Sequence, residues 1–344
     1  MFTPELMAIP IVQAPMAGGP STPELAAAAG EAGGLGFLAA GYKTPAGMRA
    51  DVESLRALSR APFGVNVFAP PGPEPTAGAV EAYGRTLESR GALGDPRHDD
   101  DAWHDKLASV AELRVPVVSF TFGCPDASAV ATLHAAGCAV WVTTTTVAEA
   151  AAAQEAGIDA LVVQGVEAGG HRGTWDDSAP GEVGLMALLQ ATRNAVSLPL
   201  VATGGIAAGP GVAAALAAGA AAVQVGSALM LAPEAGTSEA HRRAFATGRP
   251  TALTRAYTGR TARGIVNDFM RHHHADAPSA YPEVHHLTQP LRAAARDRGD
   301  LEGFHLWAGQ AYGLARPDPA GHILHRLMDE AREALGAAAR RLPG

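Results

Sequence analysis

The chain has little that marks a secreted, membrane-borne or nucleic-acid-binding protein. It carries only two cysteines, Cys124 and Cys138. Each lies in or beside an apolar segment and reads as a buried free thiol rather than part of a disulfide framework. A reducing cytoplasm fits that usage. The N-terminus, Met1-Phe2-Thr3-Pro4-Glu5, shows no basic region followed by an apolar stretch, so no secretory signal is visible. The longest weakly polar runs are rich in alanine and glycine and broken by turn residues, and none qualifies as a membrane span. The net charge is −8, which argues against binding a phosphate backbone, since that rests on clustered Lys and Arg. Solenoid-length repeats are absent as well.

What is present is material for a core. Apolar residues make up 47% and charged residues 17% of 344 positions, the balance of a compact globule. From the start to about residue 231, short apolar runs alternate with alanine-rich helical stretches, the pattern of βα units. Eight strands are predicted: Ile9 to Gln13, Leu35 to Ala39, Phe63 to Phe68, Val115 to Phe120, Ala139 to Thr144, Ala160 to Gln164, Leu200 to Thr203 and Ala222 to Val225. Ser21-Thr22-Pro23-Glu24 supplies a helix-capping hydroxyl and a first-turn proline, while Gly137, Gly157 and Gly219 can close helices.

Eight such units closing on themselves give an α/β TIM-type (β/α)8 barrel, whose site is assembled from loops at the carboxyl ends of the strands. The expected organisation is a barrel over residues 1–235 with an excursion at 70–105 after strand three. A smaller, mostly helical substrate or lid region follows over 236–320, then a C-terminal helix in 321–344 that packs on the barrel. An open dinucleotide-binding sheet is the rival architecture. Its local support, Gly34-Leu35-Gly36-Phe37-Leu38-Ala39, has the order helix, glycines, strand, where the dinucleotide pattern needs strand, glycines, helix.

Chemistry concentrates at the predicted strand ends. Ala160 to Val163 runs into Gln164-Gly165-Val166-Glu167-Ala168-Gly169-Gly170-His171-Arg172-Gly173. Glycine lets backbone amides approach a ligand closely, so Gly169 and Gly170 suit a binding turn. His171, the histidine within that turn, suits proton transfer or holding an anion. After strand one, Ala14, Pro15 and Met16 offer close approach and an adaptable apolar surface for a flat ring, although Met16 also suits a core. Asn66 in strand three and Gln164 ending strand six can each donate and accept, towards a ligand or towards backbone. Thr203-Gly204-Gly205-Ile206 and Gln224-Val225-Gly226-Ser227 end strands seven and eight, where barrels hold phosphate on backbone amides and a helix amino terminus. The residues themselves support a flat, phosphate-bearing ligand beside an acid, base or anion holder.

The same residues resemble the nitronate monooxygenases, the FMN-dependent family formerly called 2-nitropropane dioxygenases. The resemblance is carried by Pro10 to Gly19, Ala32 to Gly36, Ala40-Gly41-Tyr42, Gln164 to Gly173, Thr203 to Ile206, Thr258 to Gly264 and Trp307 to Gln310. It implies FMN bound by Asn66, Gln164, Gly169, Gly205 and Gln224 through Ser227, with His171 as the active-site histidine. It also implies oxidation of propionate 3-nitronate or similar alkyl nitronates by O2 without a nicotinamide. His171, as imidazolium or N–H donor, would then hold the nitro oxygens. Two other functions stay open: an NAD(P)H-dependent flavin reductase of the FabK enoyl-reductase or quinone-reductase kind, and a barrel that binds a flavin or phosphorylated metabolite without turnover. The partners expected are small molecules only, with a homodimer left open. His272-His273-His274 are adjacent and lack ligand spacing, so no metal is expected and a solvated loop or lid is the simpler reading. Arg260 and Arg263 read equally well as contacts to an anionic substrate or subunit partner or as surface charges.

Overall fold

A computed structural model describes residues 1–72 and 74–342. Pro73 of the excursion and the last two residues of the C-terminal segment lie outside the described residues. Eleven strands are present among them: β1 Ile11–Gln13, β2 Gly36–Ala39, β3 Phe63–Phe68, β4 Val117–Thr121, β5 Ala139–Thr144, β6 Ala160–Gln164, β7 Gly170–His171, β8 Leu200–Thr203, β9 Ala222–Val225, β10 Thr251–Thr254 and β11 Ala262–Ile265. Eight of them form one parallel sheet in the order β1-β9-β8-β6-β5-β4-β3-β2. The ring closes where Val12 bridges Leu35, with Leu35 N–H donating to Ile11 O (3.1 Å) and Gln13 N–H to Leu35 O (2.9 Å). This is the TIM-type barrel, and the closure excludes the open dinucleotide-binding sheet.

Burial on both faces explains the near-continuous apolar strands. Inside the barrel Phe37 and Trp141 fill the floor with ring centroids 5.9 Å apart, and Phe2 plugs it from below at 6.4 Å from Trp141. Gly64 sits opposite because any Cβ there would collide with the Phe37 ring. The outward faces pack under the helices, among them Pro23–Glu31, whose Thr22 cap accepts from Leu25 N–H at 3.0 Å. Gly137, Gly157 and Gly219 end their helices with φ of 86°, 83° and 95°. Strand β4 begins two residues later than expected because Pro116 has no N–H to give the ladder. Helix Ala320–Ala339 buries Ile323, Leu324 and Leu327 against the barrel, and Glu330 accepts from Gly209 N–H at 2.9 Å. Among the described residues, no helix is long and apolar enough to cross a membrane.

Two features differ from the expectations. The excursion after β3 and the region beyond residue 236 are not separate appendages: Val80, Tyr83 and Leu87 share one apolar cluster with Tyr257, Phe269, Val284 and Leu287. Polar contacts stitch the same seam, with Tyr83 Oη donating to Ala256 O (2.6 Å), Gly94 N–H to Leu287 O (2.9 Å), and His286 paired with Asp99 (2.7 Å). The Gly-Gly-His stretch, in turn, is not only a turn. Its β7 is the edge of a three-stranded antiparallel sheet, in register Ala262 to His171 and Arg263 to Gly170, with β10 on the far side of β11.

Leu287 is buried at the centre of the seam, so Leu287→Ala should cost about 2–5 kcal/mol. Hydrogen exchange should accelerate over 79–90 and 283–297 while β4, β5 and β6 keep their protection. Equal acceleration in the barrel strands would contradict a distinct second core.

Candidate functional site

A cavity of about 400 Å³ opens at the carboxyl ends of the barrel strands. Ala14, Pro15 and Met16 line it from the loop after β1, Asn66 from β3, Gln164 from the end of β6, and Gly169, Gly170 and His171 from the stretch beyond. Gly204 and Gly205 line it after β8, as do Gln224, Gly226 and Ser227 at the end of β9. Val225 stands apart: its side chain packs in the cluster between the strands and the surrounding helices, and its carbonyl accepts from Ala14 N–H at 2.9 Å.

The two amides differ in what they have left to offer. Gln164 Oε1 accepts from Gly173 N–H (2.8 Å) and Arg172 Nη1 (3.2 Å), and its Nε2 donates to His171 O (3.1 Å). Arg172, itself 1% exposed, also reaches Gln164 O and Gly165 O. Gln164 is therefore locked in one orientation by an arginine behind it. Asn66 spends its Nδ2 on Ser119 Oγ (2.9 Å) and Thr121 Oγ1 (3.0 Å), so its Oδ1 is the acceptor it brings to the cavity.

The loops after β8 and β9 form a cradle of backbone. The amides of Gly205, Gly226 and Ser227 find no acceptor among the described residues. Gly205 takes φ of 70°, where a side chain would also crowd Glu167 Cβ at 3.0 Å. A Cβ at Gly169 would run into the backbone of Ala308 and Gly309. Ser227 Oγ accepts from Gly309 N–H at 2.9 Å. The helical turn after β9 is only the three-residue 3-10 segment Ser227–Leu229, so individual N–H groups rather than a long helix dipole are what this cradle has to offer an anion. Free amides, glycine clearance and an apolar floor at Met16 fit the phosphate and flat ring of a flavin.

His171 sits beside the cavity in an aromatic box. Phe122 meets its ring edge-on at 5.6 Å, Trp307 lies at 5.5 Å and Tyr281 at 6.0 Å. Its Nε2 is 2.9 Å from Thr258 Oγ1, and that hydroxyl can donate to Arg260 O at 3.2 Å. With the hydroxyl so directed, Nε2 carries the proton and Nδ1 is the basic nitrogen. Burial, reinforced by the Arg260 and Arg292 charges, pushes the imidazole pKa down to about 3. Of the two forms expected, imidazolium or neutral ring, that shift favours the neutral ring at pH 7.

Several wall residues carry no strand-end signal in the sequence. Tyr42 stacks on His285 with centroids 4.2 Å apart and planes 4° from parallel. Its backbone N–H donates to Asp101 of the excursion (3.1 Å), and although the residue is 37% exposed at the cavity mouth, desolvation pushes its phenol up to about 12. Arg292 is 6% exposed and lines the cavity from helix Glu283–Asp297. Arg260 and Arg263 are buried rather than surface charges. Arg260 lies 4.0 Å over the Phe122 ring and donates to Thr174 O, while Arg263 Nε donates to Val166 O at 2.8 Å. His272 to His274 lie at the end of helix Asp268–His273, not in a loop. His273 is buried 4.7 Å from the Phe269 ring, whereas His272 is exposed and bonded to Asp268 O.

A closed parallel barrel with a cavity of this size at its carboxyl ends and a histidine on the cavity wall has the build of a barrel oxidoreductase. The family model for nitronate monooxygenase matches residues 2–330. A nitronate monooxygenase of Paraburkholderia phytofirmans is 39% identical over 342 residues, covering 95% of this chain and 93% of that one. A probable nitronate monooxygenase of Bacillus subtilis is 37% identical over 331 residues, covering 93% and 95%. Among solved structures, nitroalkane oxidase from Streptomyces ansochromogenes superposes with a TM-score of 0.94 at 50% identity, over 97% of this chain and 99% of that one. FabK from Thermotoga maritima does so with a TM-score of 0.79 at 27% identity, over 98% of each. The chain belongs to the nitronate monooxygenase family, a family of flavin-dependent oxidoreductases.

Burial also lowers the pKa of His241 to about 4 and of His285 to about 2. The unfolded chain therefore binds protons that the folded chain does not. Their stabilising contribution is full above about pH 6.5 and is lost progressively as pH falls towards the folded values. In a 15N titration from pH 8 to 5, the His171 ring should show no protonation step; a step near 6.5 would contradict the neutral assignment.

Proposed function

We propose that this enzyme oxidises alkyl nitronates such as propionate 3-nitronate with O2, using FMN and no nicotinamide. The observation that carries the reading is one cavity lined both by a cradle of unpartnered backbone amides and by a neutral histidine in an aromatic box. On this reading Gly204, Gly205, Gly226 and Ser227 receive the phosphate, with Gln224 beside them. Ala14, Pro15, Met16, Asn66, Gln164, Gly169 and Gly170 border the flavin. When bound, the flavin supplies electron acceptance from the substrate carbon and delivery of those electrons to O2.

The chain's own residues set up that exchange. A nitronate is already an electron-rich anion, so the site needs orientation and charge complementarity more than a strong base. His171 acts as a neutral imidazole, its ring fixed by Thr258 and by β7–β11 pairing. With neutral nitroalkanes, its Nδ1 is the base that removes the α-proton. Arg172 keeps the Gln164 amide from rotating when ligands exchange. Phe122, Tyr281 and Trp307 exclude water, and residues 236–320 serve as the lid that supplies most of them. A cytoplasmic setting and small-molecule partners accompany this reading.

Structural likeness to FabK makes NAD(P)H the informative competitor. Under anaerobic conditions propionate 3-nitronate should bleach the flavin of the purified enzyme within its turnover time, while NADPH leaves it oxidised; rapid bleaching by NADPH alone would overturn the proposal in favour of a reductase. His171→Ala should keep bound FMN and lose about 10²–10⁴-fold in turnover of neutral nitroalkanes. Undiminished turnover would remove the histidine from the chemistry.

A further inference from the structure

Once His171 is neutral, the wall of the chamber needs another source of positive charge for an anionic substrate. Three arginines are near. Arg260 is buried but does not line the cavity; its guanidinium lies over the Phe122 ring and donates to Thr174 O, while the nearby Asp177 forms its ion pair with Arg255. Arg296 lines the cavity but is exposed. Arg292 is both buried and on the cavity wall, and it makes no ion pair among the described residues.

All of its protein partners are neutral acceptors. Nε donates to Thr288 Oγ1 (2.9 Å) and Nη2 to His285 O (2.7 Å). The remaining contacts are long: Nη2 to His285 Nδ1 at 3.3 Å and Nη1 to His305 Nδ1 at 3.4 Å. Both imidazoles are held neutral, first by burial and then by Arg292 itself, so they offer lone pairs but no countercharge. A buried guanidinium without a carboxylate bears a desolvation cost that an incoming anion would offset. Its planar fork matches two oxygens on one atom, the shape shared by carboxylates and nitronates.

We propose that Arg292 is the anion-binding residue of the chamber, pairing its guanidinium with the two oxygens of the substrate nitronate while His171 attends to the carbon. The inference rests on the reading of this cavity as a nitronate site, and it adds a specificity-determining residue: the enzyme selects the anion over its neutral nitroalkane through Arg292.

The test uses the flavin-loaded enzyme and two probes followed by flavin absorbance: nitrate, a planar unreactive oxyanion, and neutral nitroethane, whose binding is read from the initial spectral change before any flavin is reduced. Arg292→Met should weaken nitrate by at least about 30-fold and raise KM for ethyl nitronate, while nitroethane binding shifts by less than about 3-fold. Arg292→Lys, which keeps the charge but not the fork, should fall between, weakening nitrate about 10-fold; it decides the matter if the methionine variant fails to retain flavin. Nitrate bound by the variants as tightly as by wild type would overturn the proposal. Nitroethane weakened as much as nitrate would also overturn it, because it would show a merely structural role. Should wild type bind nitrate yet not be reduced by any nitronate, the proposed reaction fails and the anion site stands. Wild type that binds no nitrate ends the inference whatever its turnover.

Discussion

The pairing of Gly170–His171 with Ala262–Arg263 is the constraint on which the site depends. Two residues beyond the end of a barrel strand are fastened to a segment about ninety positions later, and everything around the histidine follows from that fastening. Thr258, which bonds its ring, and Arg260, which lowers its pKa, lie in the loop leading into the partner strand. Trp307 closes the other side, through a bridge from Gly264 that extends the same sheet. A backbone ladder is well suited to the task because it positions a side chain without spending any of that side chain's hydrogen-bonding groups.

From this follows a division of labour between two cores. The barrel core is rigid, filled by Phe37 and Trp141, and presents the loops that border the cavity. The second core joins the excursion to the helices beyond residue 236, and the elements it joins carry further cavity-lining residues: Tyr42 is held by Asp101 of the excursion, while His285 and Arg292 share one helix. The strand-end loops of the barrel and the helix that carries His285 and Arg292 thus reach the cavity from different packing units.

Much of the barrel was legible in the sequence because its determinants are local. Short apolar runs set the strands, a Thr-Pro pair capped the first helix, and glycines ended three others, so the predicted strands agree with the observed ones to within two residues at either end. The cavity-lining loops were legible for the same reason, since a glycine-rich strand end is a local signal. Val225 was drawn in with its neighbours because a motif does not say which of two alternating side chains points inward. The second core was not legible. Tyr83 bonds a carbonyl 173 residues away, and no period or spacing encodes such a meeting. Arg292 was hidden for a related reason: on an amphipathic helix an arginine reads as solvated face, and only the fold shows that this face looks into a cavity. His171 was legible as a histidine beside the cavity, but the choice between its imidazolium and neutral forms was not, because the arginines and aromatic rings around it come from distant segments.

The central claim is spatial: a flavin phosphate on the amides after β8 and β9, with the flavin ring edge beside a neutral histidine. A crystal structure of the purified enzyme with the ligand it carries tests this most directly. The account predicts FMN with its phosphate on Gly205, Gly226 and Ser227 N–H groups and its ring between Met16 and His171. A phosphate seated elsewhere, or a cavity occupied by a dinucleotide reaching past the lid, would contradict it.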